Sequence, residues 1–367
     1  MKIVYFVRDD TACSYYRQHI PLNTWKANDP ELSLQSYTRH TPLPQMEKFL
    51  IDADILHVQR AIEPQMVNLI KHRRELGKYT VLDYDDNLFD LSPLSPHYPD
   101  FGTEEIRVQL KNGEVMDLWT HGDNIDIEKN KIKQDTIKKV MGLADLVTVT
   151  TPYLASVLKP YARKVIDLPN CINPAVWQMH KLADRDDSVR IYWSGGASHY
   201  DDWAMVNKPV KDILDTHKNT KLVLMGQRFQ GTLQHMDQSR IEHCDWVHFE
   251  AYPYKTVMLQ PDIGIIPLQD NQFARGKSTI KWVELAALGI PCVTSYVPPY
   301  TMVFEDNVGI FIENNDPDLW FKGLNMLIED PVLRAKLGGA AQRKVLLEYD
   351  INQKWYKWKE AMEGVLK

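Results

Sequence analysis

Residues 262–300 read DIGIIPLQDNQFARGKSTIKWVELAALGIPCVTSYVPPY. An apolar run, Ile263-Gly-Ile-Ile266, closes at Pro267-Leu268, and a polar loop leads to Gly276-Lys277-Ser278-Thr279. The pattern turns helical over 281–288, and a second apolar run follows at 291–294. Short apolar strands joined through helices imply a parallel sheet covered on both faces. A helix opening at residues 276–279 offers backbone N–H groups and a positive dipole end, which suits a diphosphate. Lys277 adds a point charge there, worth about 1.5–3 kcal/mol as a charge-assisted contact. Glu284 lies about two turns on, placed as a bidentate acceptor for a ribose diol. The same residues also read as a surface loop with a helix cap, and local pattern does not separate the two.

Working outward, apolar runs at 189–193, 221–225, 246–249, 263–266 and 291–294 alternate with helical segments. An earlier series does the same: strands at 2–7, 54–59, 80–85 and 145–150, with helical patterns at 63–76 and 128–143 between them. Pro64 suits an opening helical turn and Gly77 a stop. The repeated alternation, split at a polar stretch near residue 180, predicts an α/β fold of two Rossmann-like domains facing a central cleft. The expected domains are 1–180, 181–345 and a helical tail, 346–367, crossing back to the first domain. Residues 91–127 read as a long irregular loop, more often functional than decorative in a compact domain.

The chain has 367 residues, 44% hydrophobic and 25% charged, ample for two cores at about 150 residues per domain. With 43 Lys and Arg against 49 Asp and Glu, its net charge of −6 excludes a generally basic, nucleic-acid-coating protein. A local basic groove stays open. Cys13, Cys171, Cys244 and Cys292 form no CxxC pair, which argues against a disulfide scaffold or zinc site. The start, MKIVYFVRDD, is too short for a signal-peptide core, and no stretch approaches the ~18 apolar residues of a membrane span. A cytoplasmic protein is expected.

Glu284-Leu-Ala-Ala-Leu-Gly-Ile-Pro-Cys-Val resembles the donor-site block E-A-x-A-x-G-x-P-V of the GT-B glycosyltransferases, family 4 group; Lys277, Ser278 and Lys281 match the KSxxK of a common subset. The resemblance implies that Glu284 holds the ribose of a nucleotide-sugar while Lys277 and the Ser278 and Thr279 amides hold its diphosphate. The wider family has an earlier glutamate that helps bind the donor sugar; that position here is Gly276. No cofactor is implied beyond the donor, and members of this kind retain anomeric configuration.

Supporting segments sit at strand ends. In Trp193-Ser-Gly-Gly-Ala-Ser-His199, Gly195 and Gly196 permit close backbone approach to a phosphate or sugar, or form a simple turn. His199 is a donor-side candidate or a structural histidine. Arg228, after Met225, reaches phosphates or is a surface arginine. In the first domain, Ser-Tyr-Tyr-Arg17 resembles the YYR loop of polysaccharide-type and phage-encoded members, which implies that Tyr16 and Arg17 face the cleft on the acceptor side. Tyr15 is equally a core residue. Leu82-Asp-Tyr-Asp-Asp-Asn-Leu-Phe89 resembles a string in the same subset; Asp85 and Asp86 are its functional candidates, as a base near an acceptor hydroxyl or, less in keeping with GT-B chemistry, a metal site. Asn170, in Pro169-Asn-Cys-Ile-Asn173, resembles the family's interdomain junction and is placed on the acceptor side.

The expected function is therefore a retaining glycosyltransferase, with Lys277, Asp85, Asp86 and His199 as catalytic candidates, no metal, and a saccharide or other hydroxylated acceptor. One alternative is a phage-type enzyme acting on hydroxymethylated bases in DNA, supported by the lysine-rich helix at 128–139 and by Tyr98, Phe101 and Trp119 in the long loop. A lysine-rich helix is otherwise simply a solvated face. The missing glutamate at Gly276 motivates another alternative, a catalytically silent nucleotide-sugar-binding protein. An epimerase of the same shape would want dedicated acid/base pairs, for which no convincing set stands out.

Overall fold

The computed structural model describes residues 1–9, 11–38, 40–109, 112–179, 185–305 and 307–367. They form two compact units, Met1–Pro169 with Trp355–Lys367, and Asn170–Lys354. The boundary expected between residues 180 and 181 lies outside the described residues. Asn170 onward joins the second unit because Ile172 pairs with the chain at 349–351: its N–H donates to the Tyr349 carbonyl at 2.9 Å, and its carbonyl accepts from Ile351 at 2.9 Å.

In the first unit, β1 (Lys2–Val7), β2 (Ser33–Thr38), β3 (Ile55–Gln59), β4 (Tyr79–Tyr84), β7 (Leu146–Val149) and β8 (Val165–Asp167) make a parallel sheet in the order β2-β1-β3-β4-β7-β8. Every residue of β3 and β7 is buried, the polar His57, Gln59 and Thr148 among them, as strands covered on both faces require. Helices α1 (Ile20–Asn28), α2 (Leu43–Asp52), α3 (Gln65–Glu75), α4 (Ile127–Leu143) and α5 (Pro152–Leu158) connect them. Pro64 caps α3, and Gly77, at φ +67°, takes the left-handed turn that ends it. The final helix, α11 (Tyr356–Glu363), packs in this unit, with Trp358 buried and Lys359 Nζ 2.8 Å from Asp29 Oδ2.

Residues 91–127 are not the irregular loop expected. They hold an antiparallel hairpin, β5 (Ile106–Gln109) and β6 (Val115–Trp119), over a small core of Tyr98, Ile125 and Ile127. Tyr98 and Trp119 stack with ring centroids 5.9 Å apart, and the Trp119 indole donates to the Pro93 carbonyl at 2.6 Å.

The second unit's sheet, also parallel, runs β11 (Ile241–Cys244), β10 (Thr220–Gly226), β9 (Val189–Gly195), β12 (Ile263–Ile266), β13 (Cys292–Ser295), β14 (Ile310–Ile312). Its main helices are α6 (Tyr200–Thr216), α7 (Tyr252–Leu259), α8 (Ile280–Ala287), α9 (Pro317–Glu329) and α10 (Pro331–Glu348). Trp193, Trp203 and Trp320 anchor its core. The strand expected at 246–249 lies instead at 241–244. Trp246 packs over Gly226, where a Cβ would come within 2.4 Å of the indole, so its apolar side chain covers a strand end rather than extending the sheet.

One buried ion pair ties the first unit together. Arg17, in the π-helical turn Tyr15–His19, meets Asp83 of β4 through Nε (3.0 Å) and Nη2 (2.7 Å). Nη1 and Nη2 also reach the carbonyls of Leu168 and Val149, and Thr148 Oγ1 donates to Asp83 Oδ2 at 2.6 Å. Both side chains are essentially inaccessible. Replacing Arg17 by Met leaves Asp83 as an uncompensated buried charge, so urea denaturation followed by circular dichroism should show a loss of about 3–5 kcal/mol from the first unit. Arg17→Met with Asp83→Leu should recover most of that loss; a single variant as stable as wild type contradicts the assignment.

Candidate functional site

In a doubly wound sheet, ligands bind outside the carboxyl ends of the strands where the strand order reverses. In the second unit the reversal falls between β9 and β12. At the end of β9, Gly195 is required by packing, since a Cβ there would lie 2.4 Å from the Trp193 ring. Gly196 is not: a Cβ there would meet nothing within 4 Å, leaving room for a close-approaching group.

His199 follows in a single 3-10 turn, and three residues on, the first turn of α6 carries Asp202. His199 Nδ1 is 2.7 Å from Asp202 Oδ2, and Lys281 Nζ, on α8, is 3.1 Å from His199 Nε2. Burial, then the charge of Lys281, pushes the imidazole down to about 3, so it is neutral. Burial also pulls the Lys281 ammonium down to about 8. The other Asp202 oxygen accepts the Gln269 amide at 2.7 Å, linking α6 to the chain beyond β12.

Lys277 lies just before α8, its ammonium 4.4 Å above the Phe273 ring. Ser278 and Thr279 lead into the helix; Thr279 and Glu284 are buried. The Glu284 charge acts on the buried phenols of Tyr192, Tyr252 and Tyr300, all raised chiefly by burial. Asn170, expected on the acceptor side, belongs to this unit: its Nδ2 donates to Ser278 Oγ at 3.2 Å, so it holds the segment that opens α8. Arg228 is bound at 2.9 Å to Gln238 Oε1 and, among the described residues, makes no hydrogen bond to residues 276–284.

In the first unit the order reverses between β1 and β3. Asp9 follows β1, Arg60 follows β3, and Asp85 and Asp86 follow β4. Arg60, at φ +48°, holds a left-handed backbone uncommon for a residue with a side chain. Its guanidinium grips Asp85 twice, at 2.6 and 2.8 Å, touches Cys13 Sγ at 3.1 Å, and lies 3.7 Å from Asp86 and 3.9 Å from Asp9. Burial raises the Asp85 carboxyl, but the Arg60 charge and hydrogen bonds outweigh it and hold it at about 2. Asp85 is thus an ion-paired carboxylate rather than a base, while Asp86 and Asp9 stay partly exposed at the rim. The acceptor-side expectation for Arg17 is corrected: it is spent on Asp83. Tyr16 is buried edge-on to Tyr15, with centroids 5.2 Å apart.

The lysine-rich face of α4 is largely engaged. Lys131 pairs with Glu128, Lys138 with Asp135, and Lys133 sits 4.7 Å over the Phe101 ring. Sequence reading missed Arg60 and Cys13, which carry no pattern of their own. It passed over the His199–Asp202 spacing of i,i+3, a legible signal, and took Lys281 only as a motif match.

Residues 179–344 match the family model Glycosyl transferases group 1. Solved structures share the fold: HepE of Anabaena, with UDP and glucose (TM-score 0.67, 11% identity, 99% of both chains), a glycosyltransferase of Rickettsia africae (TM-score 0.67, 10% identity, 100% of this chain and 98% of that one), and sucrose-phosphate synthase of Thermosynechococcus elongatus (TM-score 0.65, 12% identity, 100% and 99%). No curated protein matches the chain. The chain as a whole has the fold of these solved structures, and its second unit, over residues 179–344, matches the group 1 glycosyl transferase model. Among the described residues no helix is long and apolar enough to cross a membrane.

Because Asp85 is held at about 2, its contribution to stability is full above the ordinary aspartate value and is lost as pH falls through about 2. Arg60→Met should move that loss to higher pH, read by ¹³C-detected titration of the Asp85 carboxyl; an unshifted titration contradicts the pairing.

Proposed function

We propose that this protein is a glycosyltransferase that moves a sugar from a nucleoside-diphospho-sugar, held by the second unit, to a hydroxyl of a saccharide or another neutral polyol, with retention of anomeric configuration. The observation that carries the reading is that the opening of α8 meets the turn after β9, where the sheet order reverses: Lys281 Nζ is 3.1 Å from His199 Nε2, and the Lys277 charge acts on the same imidazole. Lys277 and the Ser278 and Thr279 amides receive the charge that develops on the leaving diphosphate. Glu284 accepts the ribose hydroxyls. The leaving phosphate, on the face the acceptor attacks, takes up the acceptor proton, so no side-chain nucleophile is needed. HepE is solved with UDP-glucose, which makes UDP-sugars the first donors to test.

The acidic strand ends of the first unit suit a neutral acceptor better than a polyanion, since Asp9, Asp85 and Asp86 outnumber Arg60. The engaged lysines of α4, the buried Tyr98 and the partly buried Trp119 stacked on it likewise count against base-flipped DNA. No metal step is needed, because Asp83 and Asp85 are taken by Arg17 and Arg60.

A thermal-shift panel of UDP-, GDP-, ADP- and dTDP-sugars tests the donor; a ligand at 100 times its Kd stabilises by about 2.7 kcal/mol. Lys277→Ala should weaken donor binding and collapse turnover, and Glu284→Ala should weaken binding of the nucleoside part. Wild-type kinetics in both variants, with folded spectra, would refute the site. With the best donor, label transfer should reach a glycan and not hydroxymethylated DNA, and should survive excess EDTA. Transfer to DNA that high salt suppresses reverses the acceptor assignment, and loss in EDTA restored by Mg²⁺ or Mn²⁺ reverses the metal one.

A further inference from the structure

Asp202, His199 and Lys281 form a chain of hydrogen bonds that ends on a cation, and its chemistry is one-directional. An ammonium only donates, so His199 Nε2 must accept from Lys281 Nζ at 3.1 Å. The ring proton then sits on Nδ1 and points at Asp202 Oδ2, 2.7 Å away. Asp202 is fixed in turn, because its second oxygen takes the Gln269 amide at 2.7 Å. Both ring nitrogens of His199 are thereby occupied, so the imidazole has none left to offer a substrate. The ammonium it holds has two further N–H donors, lies 6.0 Å over the Trp193 ring, and stands one helical turn beyond Lys277. Each lysine acts on the other as a like charge. Two cations four residues apart where α8 opens, the second resting on a neutral imidazole, are arranged for an anion.

We infer that Lys281 is the second cation binding the donor's diphosphate, and that His199, fixed in one tautomer by Asp202, is its positioning residue rather than a catalytic group. This assignment rests on the donor site proposed above and adds to it a ligand and its support. It also gives His199 a role different from the substrate contact expected from sequence.

The tautomer makes the assignment testable. Asp202→Asn can still accept from Gln269, but its amide turns an N–H toward His199. The ring proton moves to Nε2, where it opposes the ammonium donor. The variant should therefore lower diphosphate affinity although its shape is nearly unchanged. His199→Gln places an acceptor where Nε2 was and should retain more affinity than His199→Ala. Asp202, His199, Lys277 and Glu284 are the charged or titratable groups around Lys281 among the described residues. Its ammonium is lost as pH rises through about 8, so binding should weaken there, and Lys281→Arg should remove that fall.

Titration calorimetry with UDP, GDP and ADP on the full chain at pH 7, and with the tightest of them up to pH 9.5, reads all of this. Folding is checked by circular dichroism. Losing one charge-assisted contact corresponds to about 10- to 100-fold in Kd, expected for Lys281→Ala and largely shared by His199→Ala and Asp202→Asn. If wild type binds one of the three and Lys281→Ala binds equally well, the inference fails while the donor site stands. If Lys277→Ala and Glu284→Ala leave binding unchanged as well, the donor site itself is wrong. If wild type binds none of the three, both fail together. Equal Kd for His199→Gln and His199→Ala overturns the positioning role, and a pH-independent wild-type Kd overturns the role of the Lys281 ammonium.

Discussion

Each sheet changes winding direction at the strand that starts it, and that one constraint places nearly every chemically active group. β1 pairs with β2 on one side and β3 on the other; β9 pairs with β10 and β12. Connections that leave in opposite directions part at the carboxyl ends of those strands. Polar loops therefore collect there without burying unpaired backbone. Arg60, Asp85 and Asp9 gather at one reversal, and Gly196 and His199 at the other, for the same topological reason.

The two reversals carry opposite electrostatics. In the second unit, lysines follow the strand ends, one before α8 and one in its first turns, and the neighbouring carboxylate of Asp202 is separated from Lys281 by an imidazole. In the first unit, the carboxylates of Asp9, Asp85 and Asp86 gather around the Arg60 guanidinium. A sugar nucleotide needs cations for its diphosphate, whereas a hydroxyl acceptor needs acceptors for its O–H groups. The charge difference between the units thus follows the chemistry proposed for each.

The buried Arg17–Asp83 pair shows how similar residues take different duties a few positions apart. Asp83 is within β4, faces the π-helical turn, and is fully used in holding it; Asp85, past the strand end, meets Arg60 at the rim. Such pairs cost desolvation and return it through hydrogen bonding: Arg17 and Thr148 supply it to Asp83, and Arg60 to Asp85.

The sequence by itself determined the two α/β series, since short β-rich runs such as 263–266 and 146–149, bounded by polar residues and alternating with helical patterns, fit strands buried on both faces. It also marked the opening of α8, where Gly276, Lys277 and Ser278 interrupt an apolar pattern. Edge strands such as β2, with the polar string SLQSYT, and the three-residue β14 were not legible, because half-exposed or very short strands need no apolar run. Only the tertiary structure decided which motif residues serve chemistry. Arg17 and Asp85 carry the residue types of a site, yet burial beside an opposite charge spends them on one another's neighbours. Arg60 and Asp202 acquire their importance from partners 25 residues away on β4's end and 67 residues away beyond β12. A hydrogen bond between distant segments depends on strand order, and local pattern does not encode strand order.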